Sequence, residues 1–181
     1  MRCFLAIDLN DECKDYLFKL QKEFSKYLKA KWVEKRNLHL TLKFLGDIDE
    51  NKLETVKRIL FEIKFKRFKI YLNEIGVFPN EGFINVVWVG LKPENDIMDL
   101  QKKIDGALLC LFPQDQKFLS HVTLGRVKLI KNKTKFKEIL KETKINKIGF
   151  EVNNFRLYKS ELTKDGPKYH LLKEFKLIFQ T

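Results

Sequence analysis

Two rhythms of apolar residues alternate along the chain, and together they predict its elements. A strand runs from about Arg2 to Leu9; Asp11 then stands as a helix N-cap ahead of Cys13, Leu17, Leu20, Phe24 and Leu28, which recur at helical spacing. Leu38 to Leu45 reads as a strand ended by Gly46-Asp47. Leu53, Val56, Ile59, Leu60 and Ile63 mark a second helix capped by Asp49, and a strand from about Phe68 to Val77 follows. The order then repeats. Phe83 to Leu91 is a strand, Pro93 sits where a helix begins, and Ile97, Leu100, Ile104, Leu108 and Leu111 form the next apolar stripe. A strand from His121 to Leu129 and a short helix around Phe136, Ile139 and Leu140 come next. Two closing strands, about 148–162 and 169–179, are joined at the turn Asp165-Gly166-Pro167.

Each half therefore reads strand, helix, strand, helix, strand, and no linker rich in Gly, Ser or Pro divides them. The expected fold is α+β and bilobal, with residues 1–181 as a single domain of two internally repeated lobes. Two pseudo-twofold-related antiparallel sheets carry helices on their outer faces and enclose a central cleft.

The middle strand of each half, about 38–45 and 121–129, carries one pattern: His39-Leu40-Thr41-Leu42 and His121-Val122-Thr123-Leu124, 82 residues apart. The chain has three histidines, and this pattern uses two of them. With so few Thr residues, a given His has roughly a 4% chance of a Thr two places on, so the pairing is not a compositional accident. Side chains alternate across a strand, so His39 and Thr41 share one face while Leu40 and Leu42 occupy the other; the same parity pairs His121 with Thr123. Helices covering the leucine faces would leave two His/Thr pairs lining one cleft.

Composition narrows the setting. Hydrophobic residues make up 44% and charged residues 33%, ordinary for a globular chain with a sizeable core, and 16 Phe supply much of its volume. The formal net charge of +12 favours an anionic partner such as nucleic acid or another phosphorylated substrate. Cys3, Cys13 and Cys110 are an odd number without CxxC spacing, and each falls in an apolar strand or helix pattern, so buried free thiols are expected. No apolar run reaches the roughly 18 residues of a membrane span, and the opening reads as a strand, not a signal peptide. A reducing cytoplasm is the expected compartment.

Paired imidazoles suit phosphodiester chemistry. One ring removes a proton from the attacking oxygen and the other delivers one to the leaving oxygen; an ordinary pKa near 6.5 lets one be neutral while its partner is charged. Thr41 and Thr123 can donate to the non-bridging oxygens, whose charge must be held as the transition state forms. Neither His has the HExxH, paired-Cys or carboxylate surroundings of a metal site, so neither metal nor other cofactor is expected.

With these residues in hand, the chain resembles the two-histidine phosphoesterases, specifically the LigT-like RNA 2′,3′-cyclic phosphodiesterases. The resemblance spans Phe4-Leu5-Ala6-Ile7-Asp8-Leu9, Asn37 to Gly46, Val87-Trp88-Val89-Gly90, His121 to Val127, Phe155 to Ser160 and Gly166 to Tyr169. It implies hydrolysis of a terminal 2′,3′-cyclic phosphate to a 2′-phosphate, with His39 and His121 as acid and base in an order the motif's symmetry does not assign. It also implies a monomer acting on RNA or oligonucleotide ends, tRNA halves among them, and some relatives join or cleave 2′–5′ linkages in vitro. Arg126 matches the family's arginine after the second motif and would bind phosphate. Simple alternation puts it on the face opposite His121, so its place in the site requires the strand to end or bulge near Gly125.

Lesser candidates follow. Lys43 shares parity with His39 and would lie at the cleft mouth. Phe4, Trp32 and Tyr169 are candidates to stack on a terminal base. Ser120 stands where a proline commonly precedes the second motif in the family, and His170, without a Thr two places on, falls outside the pair. Two other readings compete: a non-catalytic RNA- or nucleotide-binding module of the same fold, and a phosphodiesterase of a small cyclic phosphate or a 2′–5′ oligonucleotide.

Overall fold

The computed structural model describes residues 1–179. Strand β1 (Arg2–Asp8) leads into helix α1 (Asp11–Phe24), followed by β2 (Leu28–Trp32), a 3-10 turn (Lys35–Asn37) and β3 (His39–Asp47). Helix α2 (Glu50–Phe61) precedes the long hairpin β4 (Phe68–Asn80) and β5 (Phe83–Lys92). Helix α3 (Glu94–Ala107), β6 (His121–Ile130), α4 (Lys133–Glu142), β7 (Gly149–Val152), β8 (Asn154–Thr163) and β9 (Gly166–Lys176) complete the order.

Boundaries depart from the periodicity where hydrogen bonding overrides it. The cap of α1 is Asn10, whose side chain accepts from the Cys13 amide at 3.0 Å, not Asp11, which occupies the first turn. Leu28 continues the helical stripe in sequence yet opens β2, where pairing with β6 buries it as a strand residue. Leu108 and Leu111 likewise lie beyond the end of α3. Asp49 caps α2 as expected, accepting from Lys52 N at 2.8 Å. The first closing strand is broken at Asn153 into β7 and β8, which pair with different partners, β4 and β1.

Among the described residues, nine strands join one antiparallel network in the order β7-β4-β5-β6-β3-β1-β8-β9, with β2 on the free stretch of β6. The two expected sheets are its two wings, and β3 meets β6 in register only at Leu40–Val122. The wings exchange strands. β4 of the first half pairs with β5 of the second, and β8 of the second pairs with β1 of the first. Each wing is thus built from both halves, which ties the motif strands side by side at the centre.

The leucine faces are covered as the alternation requires. Leu40, Leu42, Val122 and Leu124 are fully buried, with α3 against β3 and α1 against β6. Burying such side chains is worth roughly 1.5–3 kcal/mol each, which fixes the register and sends the opposite parity to the other face.

Candidate active site

His39 and His121 both face a cleft of ≈ 450 Å³, together with Thr41, Thr123 and Arg126. The motif strands bring them there by the same device. Each histidine opens its strand, and each ring is held by the carbonyl two residues back: His39 Nδ1 lies 2.6 Å from Asn37 O and His121 Nδ1 lies 2.8 Å from Leu119 O. A carbonyl only accepts, so Nδ1 carries the proton in both rings and Nε2 is the nitrogen left for chemistry. His39 Nε2 accepts from the Thr41 hydroxyl at 2.9 Å, whereas His121 Nε2 has no hydrogen bond among the described residues.

Burial pushes the pKa of both histidines below the ordinary 6.5. For His39 the carbonyl of Asn37 and the charge of Asp8 oppose that shift, while Lys14 and His121 add to it. The charge of His121 thus adds slightly to the lowering at His39. Aromatic rings exclude water behind them. Phe4 and Tyr169 pack on His39 with centroids 5.0 and 5.4 Å away, and Phe78 and Trp88 flank His121 at 5.1 and 6.1 Å.

The parity conflict at Arg126 is resolved by a bulge. On β5, Val87 and Trp88 are adjacent but pair with Gly125 and Thr123, so β6 holds one extra residue, Leu124. Leu124 and Gly125 both turn inward, and Arg126 emerges on the same face as Thr123. The carbonyl released at Leu124 accepts from Val33 N at 2.9 Å and from Gln21 Nε2 at 2.9 Å, so the bulge leaves no orphan. Gly125 also gives Trp32 its place, since a Cβ there would stand 2.6 Å from the indole ring. Trp32 and Tyr169 line the cleft half-exposed. Burial raises the pKa of the Tyr169 phenol, and the charges of Arg126 and Arg2, which line the same cleft, partly offset that rise.

Two expectations are corrected. Lys43 does not reach the cleft mouth. The strand bulges at Leu42–Lys43 just as β6 does at Leu124–Gly125, and Lys43 turns into the core, 2% exposed in its side chain. There its ammonium pairs with the buried Asp105 and with Asp115 at 3.2 Å, and donates to Pro113 O at 3.0 Å. It thereby pins the segment that leads to His121. Phe4 lies at the cleft wall but is only 3% exposed, its ring enclosed by His39, Phe44, Tyr158 and Tyr169; it supports the site and offers no face to a base.

Residues missed in the sequence complete the site. The same bulge that buries Lys43 exposes Phe44 (69%) onto the cleft, at the position equivalent to Arg126. Lys31 and Arg2 add cations to the rim, and Leu162 and Pro167 bring in the β8–β9 hairpin. Asn37 Nδ2 donates to Pro167 O at 2.8 Å, fixing that hairpin beside His39. Asp8, the register partner of His39, is held by Lys14 at 2.7 Å and Arg156 at 2.8 Å. Ser120 is buried and faces Leu91 O. His170 lies outside the cleft, 2.9 Å from Glu161 on the exposed face of the closing hairpin. Cys3 and Cys13 are buried thiols, but Cys110 falls in the turn after α3 and is exposed. Among the described residues no group of three or more His, Cys, Asp or Glu is placed to hold a metal ion, and no helix is long and apolar enough to cross a membrane.

The family model for LigT like phosphoesterases matches the chain twice, over residues 7–88 and 89–169. The chain belongs to this family. It is 41% identical to an RNA 2′,3′-cyclic phosphodiesterase of Methanocaldococcus jannaschii over 97% of this chain and 100% of the relative. It is 38% identical to the protein of that name from Archaeoglobus fulgidus over 97% and 99%. Among solved structures, TT0787 of Thermus thermophilus superposes with a TM-score of 0.85 at 26% identity, covering 100% of both chains. Escherichia coli LigT in apo form shares the fold at a TM-score of 0.79 and 24% identity over 99% and 98%. The double match of this LigT-like chain falls on the same two halves that the motif marks, one histidine in each.

Proposed function

We propose that this LigT-like phosphoesterase hydrolyses the terminal 2′,3′-cyclic phosphate of RNA to a 2′-phosphate, with His39 and His121 as its proton-transfer pair. The observation that carries the reading is the convergence of two imidazoles on one cleft, each with Nδ1 tied to a carbonyl and Nε2 left as the working nitrogen. The relatives' shared name, RNA 2′,3′-cyclic phosphodiesterase, supports the substrate class.

In this mechanism the neutral imidazole takes a proton from water as its oxygen bonds to phosphorus. The P–O3′ bond breaks, and the second imidazole, charged at the start, protonates O3′. Product leaves with phosphate on O2′ and a free 3′-hydroxyl; the proton has passed from one ring to the other, and exchange with solvent resets the pair. Thr41 and Thr123 donate to the non-bridging oxygens, with Arg126 holding their charge. For Thr41 this means exchanging its bond to His39 Nε2 for one to phosphate, freeing that nitrogen as substrate binds. A 5′-hydroxyl in place of water would give a 2′–5′ linkage by the same transfers. Trp32 and Tyr169 are the rings placed to take the terminal base.

A site that draws both histidines from one chain is compatible with work as a monomer, and the three free thiols suit a reducing cytoplasm. RNA ends such as those of tRNA halves carry the required group. The test is turnover of a nucleoside 2′,3′-cyclic phosphate by the wild type and by His121→Ala, with product position determined. Loss of turnover in the variant and a 2′-phosphate from the wild type are expected; an unimpaired variant would make the pair structural.

A further inference from the structure

Beyond the cleft, β2 and the far end of β6 form a two-stranded ribbon. Lys31 pairs in register with Arg126, and both line the cleft. One step outward, Ala30 pairs with Val127 and Lys29 with Leu129, leaving Lys128 as the extra residue of a second bulge opposite Lys29. Same-face positions on a strand repeat every two residues, so Lys29 lies on the face of Lys31 and Lys128 on that of Arg126. All four cations are exposed, and among the described residues none makes an ion pair. That contrasts with Lys14, Lys43 and Arg156, each matched to a carboxylate.

Edge protection accounts for part of this pattern, because lysines on an edge strand discourage pairing with another chain. It covers Lys29 and Lys31 on β2. It does not cover Arg126, which sits where β6 is already paired on both sides, with Lys31 and Val86; Lys128 lies beyond the end of the β5 pairing, on the same face. A one-signed row leading out of the cleft fits a polyanion whose charges continue from the phosphate in the site.

We infer that the β2–β6 ribbon is the track for the RNA strand running 5′ from the cyclic end, with Lys29 and Lys128 meeting internucleotide phosphates. Successive same-face side chains stand about 6.6 Å apart, comparable to the phosphate repeat of an extended single strand. The substrate class narrows accordingly, from any 2′,3′-cyclic phosphate to a single-stranded RNA end of several nucleotides. This rests on the function proposed above for the cleft.

The experiment compares a mononucleoside 2′,3′-cyclic phosphate with a pentaribonucleotide bearing the same end, on wild type and on the double variant Lys29→Gln/Lys128→Gln. Wild type should turn over the pentamer with kcat/KM at least about tenfold higher at low salt, chiefly through KM, because each phosphate met by a cation contributes a favourable counterion-release term. The double variant should lose most of that advantage and keep the mononucleoside rate, since neither residue lines the cleft. Its log–log salt slope for the pentamer should be shallower by about 1.4, about 0.7 for each single-strand phosphate that no longer meets a lysine. Equal wild-type kcat/KM for the two substrates, or a variant with the wild-type pentamer slope, would overturn the track. Binding of a pentamer ending in a 2′-phosphate, read by fluorescence, separates the two claims. Should wild type cleave neither substrate but bind this pentamer with a salt slope that the variant reduces, the catalytic reading fails and the track stands.

Discussion

The strand that carries His39 and the strand that carries His121 overlay by a shift of 82 residues, and so do their neighbours β1 and β5. Both bulge at the same point, and both hold His and Thr on the cleft face with the imidazole tied to the carbonyl two residues back. Around that shared pair the rungs diverge. Asp8 beside His39 becomes Gly90 beside His121, Ala6 beside Thr41 becomes Trp88 beside Thr123, and Phe4 beside Phe44 becomes Val86 beside Arg126. At the bulge itself, buried Lys43 corresponds to Gly125. Proton transfer needs two like groups, one to take and one to give. A nucleotide end is not symmetric, so the walls that hold it need not be either. On the proposed mechanism, the fold keeps the repeat where protons move and abandons it along the walls that would hold the nucleotide.

That contrast breaks most sharply at the repeated pair. His39→Ala and His121→Ala should each lower kcat by about 10²–10⁴-fold, and the double variant should fall little further because the two act as a unit. Independent, multiplying losses in single-turnover assays would mean that the two rings do not serve one reaction.

The next largest effects lie at the diverged bulge. Lys43→Met leaves Asp105 buried without its partner and should cost about 3–5 kcal/mol in denaturant unfolding. Adding Asp105→Leu should recover a large part of it, and a failure to recover would show that Lys43 acts other than through that pair.

At the diverged rung, Arg126→Ala removes charge-assisted bonds to phosphate and should raise KM by about 10–100-fold, from roughly 1.5–3 kcal/mol of hydrogen bonding. Phe44→Ala at the equivalent place should change KM much less. Similar losses in both would erase the proposed polarity of the cleft.

The smallest effect is on pH. Both histidines have folded pKa values below 6.5, so below that pH the unfolded chain binds more protons, and folding stability should decline as pH falls through the lowered values. For the same reason the bell of kcat/KM should centre below pH 6.5, while that of kcat moves upward, because bound phosphate favours the charged imidazole. A kcat/KM profile centred above about pH 7 would contradict the burial argument.

Much of this was legible in the sequence, because periodicity reports faces. Alternation placed His39 with Thr41 and His121 with Thr123, and the helical stripes located the four helices of the described residues. What escaped were features set by tertiary hydrogen bonding. β2 was invisible because Leu28 prolongs the helical rhythm of α1 and only pairing with β6 makes it a strand. Strand exchange between the wings leaves no local trace. The two bulges each reverse parity midway along a motif strand, which sent Lys43 inward, Phe44 outward and Arg126 into the site. Gly125 hinted at the second; nothing in Leu42-Lys43 marked the first. Cys110 looked helical because its stripe continued past the point where α3 ends.

The most direct test of the paired-histidine account is hydrolysis of a nucleoside 2′,3′-cyclic phosphate in excess EDTA, with the product resolved by phosphorus NMR. The account predicts undiminished turnover, a 2′-phosphate as product, and loss of both with either His39→Ala or His121→Ala. Turnover abolished by the chelator and restored by a divalent metal, or a 3′-phosphate product, would contradict it.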